Sequence, residues 1–288
     1  MCRLSVFAAA GMGGHMAGKQ GLWIVAALCV LAGAMGAKAG EMVSPTVQAA
    51  SPDAVSRGNF GPFVRSLNDR AYGYQLVPDP AVSADGAGND KPARIVEKFE
   101  VRPGDCGGDN AIDCGRDRER SELSERGGRN PAGSIYWYRW SLYIPTDFVD
   151  VSPTKVALGQ FHQEGSHPAW MFEVDGAGYH LDDHVTGRKP RYHTLIKAGA
   201  LRGRWHDIVV FARWSKDSSG ILRVWADNDL KFDYQGPTMT AEKIYFKYGL
   251  YRSFVSRYQN ANETDKVPAQ TVYFTNVRRA NSREGLEP

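Results

Sequence analysis

The chain has 288 residues, with 35 Lys and Arg against 32 Asp and Glu, a net charge of +3 and only four cysteines. Three of the basic residues (Arg3, Lys19 and Lys38) and no acidic residue lie in the first 39 positions, so the remainder is balanced at 32 against 32. Such a balance gives no general attraction for nucleic acid, and a polyanion would have to be held by local clustering of charge.

Residues 1–39 read as an export signal. Lys19 supplies positive charge, Leu22 to Met35 is an apolar run, and Ala37-Lys38-Ala39 offers a small-residue cleavage site with the cut after Ala39. The run is too short for a comfortable membrane span. Cys29 lies inside it, but Leu28 directly before it suits lipoprotein cleavage poorly. The expectation is a periplasmic or secreted protein with no membrane partner, starting at Met1 or Met16. Residues 40–60 are rich in Ser, Ala and Pro and read as a flexible lead-in, which leaves 61–288 for one domain.

Within that domain, Arg94 to Val101 alternates as a strand does. A Gly/Asp-rich loop over 102–118 follows and holds Cys106 and Cys114. In an oxidising compartment these are expected to form a disulfide; two cysteines with no second pair make poor metal ligands. Ser134 to Ile144 is a strongly aromatic strand, more in keeping with a core than with a ligand platform, and Lys155 to Gln163 is another strand. Trp170 to Val174 and Gly178 to Leu181 form a predicted hairpin around Asp175-Gly176. Trp205 to Trp214, Ile221 to Ala226, Leu230 to Tyr234, Ile244 to Arg252 and Gln270 to Arg278 complete the set. With no long amphipathic helix and no internal repeat, the expectation is an all-β fold, a two-sheet sandwich of the jelly-roll, concanavalin-like kind.

Three segments carry the chemistry: Arg120-Ser121-Glu122-Leu123, Gln160-Phe161-His162, and Tyr245-Phe246-Lys247-Tyr248-Gly249-Leu250-Tyr251. Alternate residues of a strand share a face. Arg120 with Glu122, Gln160 with His162, and Lys247 with Tyr251 therefore point one way, while Leu123, Phe161, Phe246, Tyr248 and Leu250 point toward a core. Gly249 lies between Lys247 and Tyr251 and is expected to leave a flat floor where a ligand can approach.

In this order the three segments resemble the motifs of jelly-roll polysaccharide lyases. Alginate lyases of this fold show Arg-x-Glu-Leu, Gln-x-His and Tyr-Phe-Lys-x-Gly-x-Tyr strands. This chain continues with Arg252-Ser253 where those enzymes commonly have a residue followed by Gln. With Gly203-Arg204-Trp205-His206-Asp207 and Trp214-Ser215 it looks more like the heparin lyase I and glucuronan lyase group, over most of residues 90–280. The resemblance implies β-elimination on an anionic polysaccharide that contains uronic acid, either glucuronan or a heparin- or heparan-like chain. Alginate cleavage is the nearest alternative, and a non-catalytic lectin on the same fold is the rival from another class.

In β-elimination a base removes the C5 proton beside the carboxylate, and the C4–O bond then breaks. The carboxylate charge must be neutralised by prepositioned donors. Gln160 and Arg120 suit that task, with Glu122 in the binding set as the residue that orients Arg120. Tyr251 is the expected acid, and a base if its phenol is depressed, an effect assigned to Lys247 on the same face. His162 is a second candidate base. In glucuronate and mannuronate the C5 hydrogen and C4 oxygen share a ring face, so Tyr251 alone suffices; in guluronate and iduronate His162 would be base and Tyr251 acid. Arg252, Arg188 and Arg191 join Lys247 as substrate-binding candidates, the last two in a basic loop with Lys189. No metal ligand set is expected: His180 and His184 would converge only on a helix. No cofactor is required, although Asp-rich loops are compatible with a structural calcium ion. Glycoside hydrolysis would need paired carboxylates, and Glu173 with Asp175 sits at a turn without a third acidic partner. A monomer is expected.

Overall fold

The computed structural model of the protein describes residues 55–66, 70–83, 94–106, 112–125 and 129–287, so the expected export signal lies outside the described residues. The strands are β1 (Val55–Ser56), β2 (Pro62–Ser66), β3 (Tyr74–Pro78), β4 (Ile95–Val101), β5 (Arg118–Glu125), β6 (Asn130–Pro131), β7 (Ile135–Tyr143) and β8 (Lys155–Gln163). Then come β9 (Pro168–Asp175), β10 (Gly178–Asp183), β11 (Tyr192–Lys197), β12 (Trp205–Arg213), β13 (Ile221–Ala226), β14 (Asp229–Gln235), β15 (Lys243–Ser253) and β16 (Gln270–Ala280). Among the described residues the helices are short, the longest being Val255–Ala261, and none is long and apolar enough to cross a membrane.

The strands make two antiparallel sheets, one of nine strands in the order β1-β2-β5-β15-β8-β9-β10-β11 with β6 paired to β15, and one of seven in the order β14-β13-β12-β7-β16-β4-β3. The fold is the expected all-β jelly roll. Alternation places the core: in β12, Ile208, Val210 and Ala212 are buried while Val209 and Phe211 are not. In the aromatic strand β7, Tyr138 and Trp140 face inward, whereas Trp137 stacks on Trp225 at 5.6 Å. Between the sheets, Phe161 packs edge-on against Tyr138 at 4.9 Å, and Trp140 meets Phe246 at 5.1 Å.

The core also takes in the end of the segment read as a lead-in. Phe60 is 2% exposed and packs against Phe63, Tyr138 and Phe246. Strands β2, β3 and β11 are absent from the sequence reading, each short and without strong apolar alternation.

Candidate active site

The three motif strands are neighbours, with β15 between β5 and β8. Tyr251 lies opposite Arg120 and Gly249 opposite Glu122 on one side; Lys247 lies opposite Gln160 and Tyr245 opposite His162 on the other. Leu123, Phe161, Phe246, Tyr248 and Leu250 are buried between the sheets, so the polar set occupies the outer face.

Glu122 is the hub. One carboxylate oxygen accepts from Gln160 Nε2 at 2.6 Å; the other accepts from Lys247 Nζ at 2.7 Å and Arg120 at 3.2 Å. Its side chain is 1% exposed. Burial pushes a carboxyl up, but Lys247 and Arg120 outweigh it and hold Glu122 below its ordinary value. Burial lowers Lys247, with Glu122 opposing. Gln160 donates one amide proton to Glu122, and its amide carries a second. With Lys247 protonated, Arg118, Arg120 and Lys247 exceed Glu122 and Asp113 by one positive charge, suited to an incoming carboxylate.

The sequence reading assigned to Lys247 the task of depressing Tyr251. Lys247 is instead spent on Glu122, and the cations at the phenol are two arginines. Arg118 Nε donates to Tyr251 Oη at 2.7 Å, and the Arg120 guanidinium carbon lies 4.6 Å from the centre of the Tyr251 ring. Burial still dominates and raises the phenol above its ordinary value, with Arg120 and Arg118 pulling the other way. Tyr251 therefore rests as a protonated acid.

Gly249 does not provide the expected floor. It sits at φ +127° where β15 carries two residues against one of β8. A Cβ there would strike the Ser121 carbonyl oxygen and come within 2.7 Å of Phe99, on the core side of the sheet. The glycine is needed for the bulge that sets Tyr251 opposite Ala157 of β8, while the register against β5 runs through it unbroken.

His162 Nδ1 lies 2.8 Å from the Gln163 carbonyl oxygen. A carbonyl only accepts, so Nδ1 carries the proton and Nε2 keeps its lone pair. The ring stacks on Tyr245 at 5.3 Å, and Arg129 covers the Tyr245 ring at 5.1 Å. Burial, and then Lys247, push the imidazole down to about 4. Between pH 6.5 and 4 the unfolded chain binds a proton here that the folded one does not, so stability falls as pH drops through that window by up to about 3 kcal/mol. His162→Gln should remove that part of the slope. Urea midpoints of both proteins at pH 7 and pH 4.5 check it; parallel losses would show that His162 is not the group.

Arg118 and Tyr245 carry no role in the sequence-based expectation, although alternation marks both, two residues before Arg120 and Lys247 respectively. Asp113 had no such signal: it lies in the cysteine loop and forms a fork with Arg120, with Oδ1 2.7 Å from Nη2 and Oδ2 engaged by Nε.

Other expectations need correction. Arg252 is fully buried, paired with Glu119 and donating to the Pro268 carbonyl at 2.5 Å, so it braces the sheet and cannot touch substrate. Arg188 stacks on Tyr234 of the other sheet at 4.8 Å, away from the motif strands. Arg191 does lie beside the outer face, with Nε and Nη2 paired to Asp182. Glu122 is too enclosed to meet substrate directly and acts by holding its three donors. His180 bonds Asp175 at 3.0 Å. Glu173, Asp182 and His184 converge closely enough to suit a cation. However, Lys155 Nζ already bridges Glu173 and Asp182 at 3.1 and 2.9 Å, which puts a protein cation where a metal would go. Burial raises Glu173 to about 7, against the pull of Lys155. Cys106 and Cys114 form the expected disulfide. His206 and Trp214, from the segments that suggested the heparin and glucuronan group, are buried and bond Asp227 and Tyr138, so they support the fold.

The chain is similar in fold to an endo-β-1,4-glucuronan lyase from the fungus Trichoderma reesei, with a TM-score of 0.51 and 14% identity over 79% of this chain and 96% of that one. It is also similar to an alginate lyase in complex with alginate trisaccharide, with a TM-score of 0.50 and 11% identity over 80% of this chain and 96% of that one. At such identities the likeness is one of fold alone. No curated protein sequence matches the chain. The family model described as polysaccharide lyase matches residues 79–278, more than half of the sequence, and the chain therefore belongs to the polysaccharide lyase family.

Proposed function

We propose that the protein cleaves a weakly sulfated or unsulfated polyuronate by syn β-elimination at Tyr251, with glucuronan as the leading substrate. One observation carries the choice of stereochemistry. Tyr251 is opposite Ala157 on β8, whereas Tyr245 is opposite His162. Five strand positions at about 3.3 Å each put the backbones of His162 and Tyr251 roughly 17 Å apart. A C5 proton and the adjacent C4 oxygen of one sugar are far closer together than that, and the two side chains would have to converge along the groove to share them, so this reading gives both steps to Tyr251. Its phenolate takes the C5 proton, the C–H electrons form the C4=C5 double bond, the C4–O bond breaks, and Tyr251 returns the proton to the departing oxygen.

Arg120 and the second amide proton of Gln160 neutralise the carboxylate as charge builds on it. His162 with Tyr245 lines the neighbouring part of the groove. The charge pattern supports low sulfation. Arg120, Lys247, Lys155, Arg191 and Arg129 on or beside this face are each paired with a carboxylate, Lys155 with Glu173 and Arg191 with Asp182, leaving little surplus for a densely sulfated chain. Residues 1–39 would direct export to the periplasm or medium, where such polymers occur, and the protein would act as a monomer.

The test is the ultraviolet absorbance of the unsaturated uronate during incubation with glucuronan, mannuronate-rich and guluronate-rich alginate, heparin, heparan sulfate and hyaluronan. A rise with glucuronan or mannuronate-rich alginate is expected. Preferential cleavage of guluronate-rich alginate or heparin, lost in His162→Ala, would replace the syn reading by an anti one.

A further inference from the structure

We propose that Asp113 is a positioning residue for Arg120, held in place by the Cys106–Cys114 disulfide, so that an intact disulfide is needed for full turnover. The inference rests on the placement of Arg120 in the reaction centre.

Arg120 is held on both sides. Glu122 takes one nitrogen from within the sheet, and Asp113 takes two from the loop. A two-pronged guanidinium–carboxylate pair fixes orientation as well as distance. Here it sets the plane of the group that lies over the Tyr251 ring. Asp113 is 2% exposed, so the pair is shielded from water.

Little regular structure holds Asp113 itself. It immediately precedes Cys114, in a short 3-10 turn. Its carbonyl accepts from Arg118 N at 2.8 Å, and the Asp105 carbonyl accepts from Arg120 N at 3.0 Å. These bonds lash both ends of the cysteine loop to the first strand of the site. The disulfide closes the loop between them, with the two Cα atoms 4.8 Å apart. A cross-link there removes the alternative loop conformations that would swing Asp113 away from Arg120.

The experiment is a cycle of four full-length proteins: wild type, Asp113→Asn, Cys106→Ser with Cys114→Ser, and the triple variant. Arg120→Ala serves as a reference. Asp113→Asn is expected to lower kcat on the order of tenfold to a hundredfold, the scale of a misplaced catalytic contact, with KM little changed and Tm lowered by the loss of one of the two carboxylates on Arg120. Asp113→Glu should recover part of the loss, and the triple variant should be no slower than Asp113→Asn alone.

Losses that multiply in the triple variant, or wild-type kcat in Asp113→Asn while Arg120→Ala is inactive, would overturn the proposal. Wild-type activity in Arg120→Ala would instead sink the reading of the site. Should Asp113→Asn fail to fold, the cysteine variant decides, assayed well below its own Tm: reduced kcat in the folded protein supports the proposal, and unchanged kcat removes it.

Discussion

Tyr251→Phe should lower turnover by about a thousandfold or more while the protein folds and binds its polymer much as before. General acid–base groups contribute roughly 10²–10⁴, and here one hydroxyl is assigned both proton transfers. The substitution deletes only Oη and its bond from Arg118; the ring keeps its place under Arg120. Initial rates and retention on immobilised glucuronan measure the two effects separately. The pH profile adds a second check. Burial holds the phenol above its ordinary value, and the base form is the phenolate, so activity should climb as pH rises into the alkaline range. The Arg120 and Arg118 cations moderate that shift, and a bound carboxylate that draws on Arg120 would weaken the moderation. A Phe variant that retains wild-type rates, or a profile that rises toward acid, would remove Tyr251 from the chemistry.

Much of this centre was legible from alternation alone, and the failures have physical causes. Residues two apart on β5, β8 and β15 do share the outer face, so Arg120, Glu122, Gln160 and Lys247 meet as expected. The same rule identifies Arg118 and Tyr245 once it is carried one step further back. It also argues against Arg252, which follows Tyr251 directly and so turns to the opposite side. Two features lay beyond its reach. Alternation says nothing about which cation pairs with which anion, and Lys247 went to Glu122 because that carboxylate is the buried partner across the sheet. Nor does it describe loops: Asp113 reaches Arg120 through a disulfide-closed turn whose geometry no strand periodicity encodes. Gly249 misled because its Cβ direction follows from a bulge, and register slips are invisible in a strand read by itself.

Glu122→Ala should be the most damaging change to the fold among the site residues. Lys247 is 4% exposed and draws its counter-charge from Glu122, so deletion leaves an ammonium buried without its partner. Removing one member of a buried pair typically costs about 3–5 kcal/mol. Lys247 has one escape, which is to lose its proton, and burial already pushes it in that direction. In the variant the folded state would then hold fewer protons than the unfolded one, so its stability should rise with pH. The deficit relative to wild type should therefore be larger at pH 6 than at pH 9, as read from urea midpoints. Glu122→Gln keeps a neutral acceptor for Gln160 and one donor, and should fall between the two. Adding Lys247→Met to Glu122→Ala should recover much of the lost stability, because the unpaired charge goes with it, yet activity should stay low since Arg120 and Gln160 have lost their common anchor. A Glu122→Ala protein with a pH-independent deficit, or one that the second substitution fails to rescue, would show that the pair is not what holds these strands together.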